Sequence, residues 1–180
     1  MITPRKQYGG NPVSIAVASA VLDVIERDNL KDHALEVGKA LLDGLQELKH
    51  KYSVIGDVRG RGLFIGIDLV KSRLTKDPSS DIADYVVKKL KEEHIIMSTE
   101  GKYGNVLKIK PPMSFSVNNA NHVLSKLDMI LSKVNKYLSS RSTSGTSSIG
   151  SWDEEEDEQE QSSDSDSFTV SNSIASSFLE

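Results

Sequence analysis

Apolar residues recur at helical spacing in four stretches of the chain and at strand spacing in two others. From Val13 to Arg27 the first half is apolar nearly all round, with Ile15, Ala16, Val17 and Ala18 consecutive. Such a helix is expected to be buried on most sides, and it demands more surrounding protein than residues 1–138 readily supply. Ala34, Val37, Leu41, Leu45 and Leu48 define a second helix, for which Asn29 is a candidate cap. Ile82, Val86 and Leu90 define a third, with Ser80 as its candidate cap. Val117, Ala120, Leu124, Leu127, Leu131, Val134 and Leu138 define a fourth, capped by Ser116. That stripe covers only about three heptads and lacks ordered flanking charges, so packing on a sheet is expected over a coiled coil.

Strand alternation is clearest at 63–70, where Leu63, Ile65, Ile67 and Leu69 share a face. It recurs at 106–110, where Leu107 and Ile109 share one face and Lys108 and Lys110 the other. Pro111 and Pro112 cannot donate ladder hydrogen bonds and should end that strand. Ile95-Ile96-Met97 reads as a weaker strand, and Gly60-Arg61-Gly62 as a connection. The order is α-α-β-α-β-β-α, which predicts an α+β fold: a small sheet covered by helices on one face.

Composition divides this chain of 180 residues in two. Residues 1–138 carry 21 Lys+Arg against 16 Asp+Glu, and 139–180 carry one Arg against ten acids. The second part holds fifteen serines between Ser139 and Ser177, and its aromatics are Trp152, Phe168 and Phe178. Too little apolar surface is present there to offset chain entropy, so a disordered acidic tail is expected over 139–180. Ser151, Ser163 and Ser165 precede acids and would suit an acid-directed kinase. With no cysteine, a disulfide scaffold and a thiolate metal site are excluded. No apolar run is long enough for a membrane helix, and the first residues do not read as a secretory signal.

The chemistry-bearing residues are few. His33, His50, His94 and His122 have no helical metal-pair spacing, so no metal site is assigned. Gly60-x-Gly62-x-x-x-Gly66 is one residue too long for a dinucleotide fingerprint and leads into a strand rather than a helix. Arg59-Gly60 and Arg61-Gly62 are too few for an RNA-binding repeat, and a glycine turn explains them better. No aromatics interleave with the basic residues, so nucleic acid is not an expected partner. Lys108 and Lys110 are the sharpest feature. Two ammoniums on one strand face before a diproline turn suit a phosphate or carboxylate, unless they guard an exposed sheet edge. Tyr8-Gly9-Gly10-Asn11-Pro12 is the second feature: paired glycines allow close backbone approach, and Pro12 can open the first helix.

Three segments carry a family resemblance: Tyr8-Gly9-Gly10-Asn11-Pro12-Val13-Ser14, Ile55-Gly56-Asp57-Val58-Arg59-Gly60-x-Gly62-Leu63-Phe64-Ile65-Gly66 and Leu107-Lys108-Ile109-Lys110-Pro111-Pro112-Met113. In order and spacing they resemble the C-terminal part of the class-III, pyridoxal-phosphate-dependent aminotransferases, from about Tyr8 to Leu138. The Lys-x-Lys-Pro-Pro-Met segment is similar to the alanine–glyoxylate aminotransferase 2-like branch. That branch contains ethanolamine-phosphate phospho-lyase and 5-phosphohydroxy-lysine phospho-lyase.

The resemblance implies the C-terminal small domain of a fold-type-I enzyme. Residues 1–28 would be a remnant of the large domain and interdomain helix, and 29–138 the small domain. It implies pyridoxal 5'-phosphate as the family's cofactor, a small phosphorylated amine as substrate, and homo-oligomers with the active site between subunits. Lys108 falls where the family commonly places an arginine that grips substrate carboxylate. The change removes a bidentate fork and leaves a point charge, which suits a phosphate. Gly9 and Gly10 match the loop that approaches the cofactor phosphate, and Gln7 stands where the family has threonine. The family's Schiff-base lysine region has no counterpart, so no catalytic residue is assigned. The expectation is a C-terminal portion or short isoform, inactive alone. The alternatives are a non-catalytic partner or negative regulator of full-length subunits, and an unrelated α+β binding module with an acidic regulatory tail. The family is often mitochondrial; otherwise the cytoplasm is expected, and secretion is not.

Overall fold

The computed structural model describes residues 11–141. Helices α1 (Pro12–Arg27) and α2 (Leu30–Lys51) precede a hairpin of β1 (Ile55–Arg61) and β2 (Phe64–Leu69). Then follow α3 (Ser80–Glu92), β3 (Ser98–Glu100), β4 (Val106–Ile109) and α4 (Val117–Arg141). The strands form one antiparallel sheet in the order β1-β2-β4-β3. The expected α+β architecture is present. The acidic stretch after Arg141 and the residues Gln7, Gly9 and Gly10 lie outside the described residues.

The alternation read at 63–70 makes one side of the sheet. Leu63, Ile65, Ile67 and Leu69 are all buried, and Ile65 and Ile67 pair with Ile109 and Leu107 across β4. The α2 stripe of Val37, Leu41, Leu45 and Leu48 is buried, as are Ile82, Val86 and Leu90 of α3. On α4, Ala120, Leu127, Leu131 and Val134 are buried as expected, while Val117 is exposed and Leu124 half-buried. Val123 and Ile130 are buried beside them, so the apolar face is wider than the stripe. Two glycines on α2 permit close packing. A Cβ at Gly44 would lie 2.4 Å from Leu124, and one at Gly38 would lie 2.2 Å from the Gly62 carbonyl oxygen. The C-terminus of α2 is tied by Arg73, which donates to the carbonyls of Ile55 at 3.0 Å, Tyr52 at 2.7 Å and Lys49.

The termini of the elements correct several expectations. Pro12 does open α1, and Asn11 caps it, its Oδ1 accepting from the amides of Val13 at 2.9 Å and Ser14 at 3.4 Å. Ser116 does cap α4, its Oγ accepting from the Asn119 amide. Asn29 occupies the N-cap position of α2 as expected but makes no side-chain cap bond; it sits in a left-handed turn at φ 49° and receives the His33 amide on its carbonyl. Ser80 is the first residue of α3, and the flanking Ser79 is the cap position. Ile95-Ile96-Met97 is the exit from α3, not a strand. His94 adopts φ 60°, the Ile95 amide returns to the Leu90 carbonyl, and Ile96 is 93% exposed. This left-handed reversal matches a Schellman closure. The strand begins afterwards, at Ser98.

Two differences matter for function. Gly60 and Arg61 belong to a full strand, β1, paired with β2 from Ile55 to Arg61. A register shift between Ile55 and Asp57 breaks the period of two, so Ile55 and Val58 are both buried three residues apart. And α1 has no buried residue: Val13 is 71% exposed, and Ile15, Val17, Val21 and Leu22 are exposed with it. The apolar helix expected to be covered is uncovered among the described residues.

Candidate substrate-anion site

The sheet face opposite the core carries the charged residues. Cross-strand register places Arg59, Gly66, Lys108 and Ser98 in one row across β1, β2, β4 and β3. A second row holds Asp57, Asp68, Val106 and Glu100. Arg61 faces Phe64 at the hairpin end, with Lys110 just beyond β4 on the same side. Strands about 4.8 Å apart put Arg59 and Lys108 roughly two strand spacings apart. Gly66 lies between them with no side chain, leaving an open notch of about 370 Å³. A Cβ at Gly66 would approach Val106 Cγ1 to 3.3 Å and crowd that floor.

Each charge in the row has a partner. Arg59 reaches Asp57 at 3.2 Å and Asp68 at 3.7 Å. Asp57 also accepts from Lys49 at 3.0 Å. That hydrogen bond, helped by Arg59, holds the Asp57 carboxyl below the usual carboxylate range despite partial burial. Asp68 accepts from Asn105 Nδ2 at 2.5 Å, and the same amide donates to the Leu69 carbonyl at 2.9 Å. Lys108 Nζ is paired with Glu100, whose carboxyl it holds below the usual range. The two side chains are 34% and 54% exposed, so water screens the pair. An ion pair this exposed contributes little to stability.

Lys108 and Lys110 project from the same face, as their spacing requires. Lys110 Nζ sits 5.8 Å from the centre of the Phe64 ring. The alternative of an edge strand guarded by lysines does not hold, because β4 lies between β2 and β3. Arg59 was legible only as a turn residue, and Glu100 was not singled out. Placing Arg59 needed β1 to be seen as a strand paired with β2; Glu100 needed the β3–β4 hairpin. Of the histidines, His33 Nε2 is 3.0 Å from the Phe115 carbonyl, which anchors the loop after the diproline. Among the described residues no helix is long and apolar enough to cross a membrane.

The sequence model of the family described as "Aminotransferase class-III" matches residues 5–131. An "Alanine--glyoxylate aminotransferase 2-like" protein of Drosophila melanogaster is 47% identical over 118 residues, covering 65% of this chain and 24% of the relative. An "Ethanolamine-phosphate phospho-lyase homolog 1" of Caenorhabditis elegans is 40% identical over 130 residues, covering 72% of this chain and 28% of the relative. Among solved structures, a phospholyase from Arthrobacter in complex with phosphoethanolamine superposes with a TM-score of 0.66 at 33% identity. That match covers 68% of this chain and 29% of the other. The chain therefore spans about a quarter of the curated relatives it matches. Motifs, sheet and comparisons agree over the same residues, and the chain belongs to the class-III aminotransferase family.

Proposed function

We propose that this chain supplies the C-terminal part of a pyridoxal-phosphate-dependent phospho-lyase or aminotransferase acting on a small phosphorylated amine. Lys108 and Lys110 receive the substrate's phosphate. The observation that carries the reading is the open notch at Gly66, with Lys108 on one side and Arg59 on the other. A lysine ammonium is a compact charge with three donors, so it serves a phosphate oxygen without the fork a planar carboxylate favours. The phosphoethanolamine complex of the Arthrobacter phospholyase supports the same substrate class.

A Schiff-base lysine needs its neutral amine, which burial or a neighbouring cation favours. Lys108 instead pairs with a carboxylate, and Lys110 stands exposed over Phe64. Neither fits that role; both fit an anion. Gly9 and Gly10, with Gln7, are our proposed contacts to the cofactor phosphate. No turnover is expected from this chain alone.

The test is titration of the purified chain with ethanolamine phosphate, followed by amide shifts across 98–110 and by phosphate release. Binding that Lys108→Ala abolishes, without turnover, is the expected result. Unchanged binding by Lys108→Ala removes the site, and steady phosphate release removes the claim of inactivity.

A second reading rests on α1, whose Val13, Ile15, Val17, Val21 and Leu22 are exposed. A helix of this kind fits a partner surface, so the chain would join full-length subunits as a non-catalytic partner or negative regulator. Co-purification with full-length subunits tests it. A monodisperse monomer that fails to co-purify would remove it.

A further inference from the structure

A separate cleft of about 440 Å³ lies on the other side of Lys110. It is shallow and open to solvent. One wall is the first half of α2, through Ala34 and Leu35; the second is the hairpin end, through Leu63 and Phe64. Pro111 and Met113 close the third side. These surfaces are apolar, and Leu35 and Phe64 are 47% and 60% exposed. Three cations, Lys31, Arg61 and Lys110, stand among them, and no carboxylate lines the cleft. Among the described residues none of the three forms an ion pair.

The walls are held in place. Gly38 lets the hairpin end press onto α2, and Gly62 turns there at φ +55°. Pro111 fixes its own backbone angle.

We propose that this cleft is a second ligand site, for a small amphiphilic anion: an apolar chain or ring bearing one carboxylate or phosphate. The body covers Leu35, Phe64 and Met113, and the head group meets Lys31, Arg61 and Lys110. An apolar floor alone would accept any hydrophobe; the three cations select the anion. The two sites share Lys110; of the two, Lys31 and Arg61 line only this cleft, and Lys108 lines only the notch.

The test uses the 180-residue chain with octanoate, octylammonium and inorganic phosphate as probes, followed by amide chemical shifts. Octanoate should perturb residues 61–64, 110 and 113 saturably, with affinity falling as salt rises. Octylammonium should leave these signals in place, and inorganic phosphate should leave 61–64 and 113 in place. A Lys31→Ala/Arg61→Ala double variant, both sites being exposed, should weaken octanoate by about tenfold. Lys108→Ala should not weaken it. Equal binding of octylammonium, shifts confined to α1, or unchanged affinity in the double variant would each overturn the proposal. Loss of ethanolamine phosphate binding in Lys108→Ala, with octanoate unaffected, separates the two sites.

Discussion

Replacing Gly38 by alanine sets two effects of opposite sign against each other. Within α2, alanine is favoured over glycine by about 1 kcal/mol, since it restricts the unfolded chain. Yet a Cβ at this position would stand 2.2 Å from the Gly62 oxygen, 2.3 Å from its carbonyl carbon and 2.6 Å from its Cα. All three are backbone atoms, so no side chain can swing away. Ordinary contact begins near 3.4 Å, which requires the hairpin end to retreat by more than an ångström. The hairpin is anchored by Leu63 and Ile65 in the core, so the retreat drags buried residues with it. Overpacking of this kind costs about 1–3 kcal/mol, and contact with rigid backbone places it at the upper end. After subtracting the helix gain, the net loss should be about 1–2 kcal/mol, or roughly 4–8 °C in melting temperature. Thermal and urea unfolding of both forms measure it, and amide shifts should move at residues 60–64. A variant as stable as the parent, or more so, would refute the close approach of α2 and the hairpin.

Three further outcomes are expected. Arg73→Met should cost about 1–3 kcal/mol in urea unfolding, because the Ile55, Tyr52 and Lys49 carbonyls lose their donor together. Asn11→Ala should cost α1 about 1 kcal/mol of local stability, read as faster amide exchange in residues 13–16 with the sheet unaffected. Glu100, Glu93, Asp57 and Asp128 are held below the carboxylate range by hydrogen bonds from Lys108, Lys126, Lys49 and Lys51. The unfolded chain therefore takes up protons first as the medium is acidified. Their stabilisation is complete above about pH 4–5 and declines as pH falls below it. The urea midpoint against pH measures this, and Asp128→Asn should flatten the slope.

The core was legible because it obeys simple periods. Leu63 to Leu69 alternates without interruption, and Val37 to Leu48 holds helical spacing; each delivers its apolar side to one interior. What the pattern missed has a local cause in each case. The register shift after Ile55 puts β1 out of phase, and Gly56 and Gly60 leave two of its seven positions without a side chain to count. Ile95 and Ile96 look like a strand because they are β-branched, yet a left-handed His94 turns the chain before pairing can begin. For α1 the apolar composition was read correctly, but composition cannot say which surface covers it.

The candidate site shows the same division more sharply. Lys108 and Lys110 were legible because two residues on one strand need only the period of two. Their surroundings depend on partners distant in sequence: Arg59 lies 49 positions earlier, and Glu100 reaches Lys108 only through the β3–β4 hairpin. A single strand cannot reveal whether its lysines face solvent at an edge or a row of charges within a sheet. The order β1-β2-β4-β3 decides it, by setting the glycine of β2 between two cations. Gly66 offers no side chain to a sequence reader, yet its missing Cβ makes the notch. The inner face of the sheet needs bulk to fold, and the notch on the outer face exists only where bulk is missing.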